Sequence, residues 1–168
     1  MKKLITLFLL TTVLIATSFA SSVNIFSVVE ETPITASIVY NDTELQNNET
    51  LNIETTYTLD TEIAQSTDEF SVLVNGNTSN NETLNVAISA STFKNEDNFD
   101  SGITPVPTAT KGNAFDFSNS TFTQSIDLPS DIYTNTVAST FTFNWNGESE
   151  LPNGTYTSSI TIEIINAN

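Results

Sequence analysis

Beyond its first twenty residues this chain is written in a period of two. Ile34, Ala36, Ile38 and Tyr40 share one parity, and the same spacing returns in Ile53–Leu59, Phe70–Val74, Leu84–Ala90, Val137–Trp145 and Tyr156–Ile164. Residues two apart share a strand face, so each run lays an apolar stripe along one side of an extended segment. Thr, Val and Ile fill many of the positions between, as suits strands that are wet on one side. No stretch after residue 20 holds helical spacing for long. Seven to nine such strands predict a single all-β domain built as two packed sheets.

The first twenty residues are of another kind. Lys2 and Lys3 precede the apolar run Leu4–Thr17, and Ser18-Phe19-Ala20 resembles a small-x-small cleavage site. The expected organisation is therefore a signal peptide over 1–20, an N-terminal extension over 21–40 and a sandwich domain over 41–168. The apolar run is shorter than the roughly 20 residues a bilayer helix needs, so export without membrane insertion is expected.

All twenty acidic residues lie after the leader, where only Lys94 and Lys111 oppose them, a formal charge of −18 (2 − 20). Such a field opposes binding of nucleic acid or anionic lipid. The chain contains no Cys and no His, which removes disulfides, Ser–His and Cys–His nucleophiles and zinc centres together. Paired carboxylates, as glycosidases use, remain chemically open, but a chain with twenty acids forms such pairs by chance. We expect no enzyme and no cofactor. The oxygen-rich Asn95–Gly102 is the one stretch suited to calcium, and its spacing does not match an EF-hand loop.

Other expectations are local. Asn75-Gly76 opens a polar loop through Asn81, and Thr61–Asp68 has room for a turn or two of helix. Asn95–Asn113 forms a long connection in which any strand near Pro105 lies at an edge. Phe141, Phe143 and Trp145 alternate on one strand, which argues for core and not for a sugar platform. Thr140, Thr142 and Asn144 then face solvent. The chain has no exact internal repeat.

Val29-Glu30-Glu31-Thr32-Pro33-Ile34-Thr35-Ala36-Ser37-Ile38 resembles the N-terminal strand of major pilins of the CS1/CFA type, the alternate chaperone–usher class of fimbriae. Leu151-Pro152-Asn153-Gly154-Thr155-Tyr156, continuing to Ile162, is similar to their C-terminal strand. The resemblance implies an immunoglobulin-like sandwich, either complete or one strand short and completed by a strand donated from another subunit. It implies a structural role in a fimbrium at the cell surface, in support of adhesion. Export would then pass through the periplasm, with a chaperone, an outer-membrane usher and identical or related pilins as partners. The donor strand would carry Ile34, Ala36, Ile38 and Tyr40 as pegs, starting at Ile34 because Pro33 lacks an amide donor. Phe141, Phe143, Trp145, Tyr156, Ile160, Ile162 and Ile164 would line the groove and core. Two alternatives stand beside it: a secreted monomeric sandwich that binds through its loops, and a coat protein of the spore-coat-U type.

Overall fold

The computed structural model describes residues 30–57, 64–147 and 151–166. The leader and the segment through Val29 lie outside them. Residues Glu31–Asn168 form one compact unit. Among the described residues there are twelve strands and no helix: β1 (Thr32–Tyr40), β2 (Thr43–Leu45), β3 (Thr50–Tyr57), β4 (Ala64–Ser66), β5 (Phe70–Thr78), β6 (Glu82–Ala90), β7 (Lys94–Asn95), β8 (Val106–Lys111), β9 (Asp116–Ser118), β10 (Thr121–Leu128), β11 (Asp131–Asn146) and β12 (Gly154–Asn166). Eight have six residues or more, and the four short ones are edge pieces that periodicity does not register.

The strands form two six-stranded sheets. One runs β2-β1-β5-β11-β4 with β8 also on β11, and the other runs β3-β12-β6-β10-β9 with β7 also on β12. The result is an all-β, two-sheet structure consistent with an immunoglobulin-like sandwich. Its core is aromatic. Phe70 stacks on Phe141 at 5.2 Å between ring centroids and meets Phe143 edge-on at 5.3 Å, while Phe93 packs against Trp145 at 5.2 Å. These are the offset and T-shaped contacts that ring quadrupoles favour. The Trp145 indole N–H donates to Thr55 Oγ1 at 3.3 Å, so its one polar atom enters the interior satisfied.

Several local expectations are corrected. Asn75-Gly76 does not open the expected loop, because β5 runs through it to Thr78 and the connection spans only 79–81. Gly76 has φ +123°, and a Cβ there would stand 2.6 Å from the Pro33 carbonyl oxygen. The residue lets the backbone of β1 come close alongside β5 at a register shift between Thr32 and Thr35. Pro33 falls within that shift, where it disrupts no ladder hydrogen bond. Thr140 is buried, not exposed, and Thr142 and Asn144 are half-buried. The cause is β8, which pairs with this part of β11 and brings Thr110 Oγ1 to 2.6 Å from Thr140 Oγ1. Within 61–68, residues 64–66 form strand and 58–63 lie outside the described residues. β8 contains Pro107 and pairs only with β11, as an edge strand should.

One device escaped the sequence reading. Leu128-Pro129-Ser130-Asp131-Ile132-Tyr133 and Leu151-Pro152-Asn153-Gly154-Thr155-Tyr156 share the pattern Leu-Pro-x-x-x-Tyr. In both, the leucine is buried and the tyrosine hydroxyl donates to the proline carbonyl four residues back. Each forms a tyrosine corner and opens one of the two longest strands, β11 and β12.

Candidate functional site

The candidate donor residues form β1, and β1 lies inside its own sheet. Seven register pairs join it antiparallel to β5, from Thr32↔Asn77 to Tyr40↔Phe70. On its other side only Ile38–Tyr40 pair, with the three-residue β2, so the backbone edge from Thr32 to Ser37 has no strand partner among the described residues. Ile38 is 3% exposed, and Ile34, Ala36 and Tyr40 are partly buried against the core. Tyr40 stacks on Phe70 with centroids 4.1 Å apart and planes within 10°. All four expected pegs thus share the inward face of one strand. Asn41 and Asp42, with φ of 48° and 60°, turn β1 into β2 with the two positive φ angles of a type I′ hairpin.

Of the residues expected in the groove and core, those of β11 share the sheet of β1 and those of β12 face it from the second sheet. Phe141, Phe143, Tyr156 and Ile160 are fully buried, and Ile162 and Trp145 nearly so. Ile164 is half-buried, toward the end of β12. The expected core residues are divided between the sheets, β11 in one and β12 in the other. Between β3 and the first sheet a cleft of about 330 Å³ opens over Leu51, Ile53, Tyr40, Phe70 and Trp145.

No cluster of three or more metal-ligating side chains exists among the described residues, and the Asn95–Gly102 loop turns its oxygens on itself. Asn95 Oδ1 accepts from the amides of Asp97 at 3.0 Å and Phe99 at 2.9 Å. Asp100 Oδ1 accepts from the Gly102 amide at 2.9 Å and Oδ2 from the Thr92 hydroxyl at 2.8 Å. Those two hydrogen bonds hold the Asp100 carboxyl below its ordinary value against the opposing effect of burial, and the Lys94 ammonium 3.8 Å away adds a smaller lowering.

On the outer face of the second sheet lies a shallow polar depression of about 670 Å³, floored by Thr155, Thr157 and Ser159 of β12. Its walls are β3, with Asn52 and Glu54, the stretch Ser91 and Thr92, β7 with Lys94 and Asn95, and the turn residues Glu96 and Asn98. Period-two alternation sends these β12 residues outward because Tyr156, Ser158 and Ile160 point into the core. The sequence reading passed over this surface, since hydroxyl-bearing residues on a strand's wet face carry no signal until neighbouring strands are in register.

Comparison of the chain with protein-family models, with curated proteins and with solved structures finds no match.

Proposed function

We propose that the chain is an exported structural subunit of a surface fimbria, joined to its neighbours by exchange of β1. The supporting observation is the placement of Ile34, Ala36, Ile38 and Tyr40 together on the inward face of a strand bordered on one side by only three residues of β2. With β1 withdrawn, the immunoglobulin-like sandwich is one strand short and exposes Phe70 and its neighbours. The β1 of another copy fills the same slot with the same contacts, so exchange sacrifices no packing. The Asn41-Asp42 turn is the hinge. An open slot of this kind invites edge-to-edge aggregation, which is the role of a periplasmic chaperone before an usher assembles the fibre.

A second reading is favoured by a specific observation: β1 pairs with β5 of its own chain over seven register positions. On that reading the protein is a self-contained secreted sandwich that acts as a binding module.

Because the chain lacks cysteine, a designed pair separates the two. Val39 and Ser71 are register partners on β1 and β5, and directly paired Cβ atoms lie about 4.5–5.5 Å apart. Oxidation of the Val39→Cys/Ser71→Cys double variant in assembled material should give a ladder of covalent multimers on a non-reducing gel. A product linked only within single chains rejects exchange and establishes the self-contained module.

A further inference from the structure

The depression on the outer face of the second sheet is organised about one row of the sheet. Thr157 of β12 is the register partner of Glu54 on β3 and of Lys94 on β7. Adjacent strands lie about 4.8 Å apart, so a carboxylate-bearing and an ammonium-bearing residue flank a hydroxyl at backbone positions roughly 10 Å from each other. That separation accommodates the width of a pyranose ring.

The polar groups of this row differ in their commitments. At one end Ser159 donates to Asn52 Oδ1 at 2.9 Å, and its own amide donates to Ser91 Oγ at 2.9 Å. Lys94 is tethered by Asp100, itself anchored by Gly102 and Thr92. By contrast the Glu54 carboxylate and the hydroxyls of Thr155 and Thr157 have no protein partner among the described residues. The Asn95 Oδ1 is occupied by two backbone amides, which leaves its NH2 to face a ligand. Phe99, which follows Asn98 in the chain, is an exposed aromatic residue outside the lining of the depression.

We infer that this depression is a binding site for a neutral oligosaccharide. Each sugar hydroxyl both donates and accepts. A carboxylate that accepts from two vicinal hydroxyls, an ammonium and an amide NH2 that donate, and hydroxyls that do either form a complementary set. Anionic ligands are disfavoured by the −18 field of the exported chain, and the floor lacks the apolar pockets that peptide side chains require. The inference concerns a face of the sheet remote from β1, and it holds whether or not β1 is exchanged.

The test is an amide-resonance titration of the folded protein with lactose, cellobiose, maltotriose and mannobiose, with 3′-sialyllactose as the anionic control. At least one neutral saccharide should shift the resonances of Thr157, Lys94 and Asn95, with an affinity that hardly changes between about 20 and 300 mM salt. Glu54→Gln and the shape-conserving Thr157→Val should each weaken binding by about tenfold or more while leaving the dispersed spectrum intact. Glu163→Gln, on the same face but outside the depression, should bind as the parent does. The inference is overturned if no neutral saccharide shifts these resonances, if both site variants bind like the parent, or if sialyllactose binds more tightly than lactose.

Discussion

Single residues here do work that their types alone do not disclose. Tyr156 was expected in the core, but its hydroxyl is what ties β12 to the preceding turn through Pro152, at 3.0 Å. Burial pushes its phenol above the ordinary value near 10, and burial, then Asp131 and Glu82, does the same to Tyr133. A raised acidic pKa means that the folded state holds the proton more tightly. The associated stability is complete below pH 10 and is lost as pH rises through the folded value. Tyr156→Phe should cost about 0.5–1.5 kcal/mol in chemical denaturation at neutral pH and should flatten the loss of stability on the alkaline side. Asp100 carries the opposite sign: its contribution is present above its ordinary carboxylate range and disappears as pH falls through its lowered value. Asp100→Asn, followed by thermal melts from pH 6 to pH 2, should lose part of the acid-limb slope. The tyrosine corners were hidden because each tyrosine satisfied a simpler expectation first, as one more large residue at an alternating position.

At the scale of elements, what could be read in advance was face, and what could not was neighbour. Alternation identifies the inward sides of β1, β5, β6, β11 and β12, because burial on one side leaves a period-two trace in the sequence. It says nothing of which strands lie alongside, so Thr140, flanked in its own sheet by Ser71 of β5 and Lys111 of β8, was read as wet. Asn75-Gly76 was read as the start of a polar loop because that pair usually breaks a strand, whereas here the glycine is required by the Pro33 carbonyl of the neighbouring strand. The polar depression was illegible for the same reason, since Glu54, Thr157 and Lys94 come from three strands far apart in the chain. Gly76→Ala should therefore destabilise the fold well beyond the usual fraction of a kcal/mol for a strand glycine, since it brings both an unfavourable φ and a backbone clash. A melting temperature equal to the parent's would show that β1 does not lie against β5 at this point. Phe141→Ala, which removes a fully buried ring stacked on Phe70, should cost about 3–5 kcal/mol.

For the molecule as a whole, charge and architecture act separately. The sandwich buries apolar and aromatic groups, while its acidic residues repel one another across the surface with few lysines to offset them. Raising salt from about 10 mM to 150 mM shortens the screening length from about 30 Å to 8 Å, so the melting temperature should rise over this range, as far with sodium chloride as with potassium chloride. A response confined to calcium would instead reveal a specific cation site.

The register of the sheets also fixes the direction in which the molecule faces. Thr32 pairs with Asn77 and Asn166 with Leu84, on either side of the short connection between β5 and β6, so β1 begins and β12 ends at the same pole. Thr157 lies nine residues back along β12, about 30 Å away at the strand rise. A sandwich tethered through the start of β1 or the end of β12, whether to a fibre or to a wall, would stand with that pole at the base and the Glu54–Thr157–Lys94 row carried outward. Distance from the anchor would then decide what that row can meet, and a spacer added before β1 should extend its reach without altering its affinity.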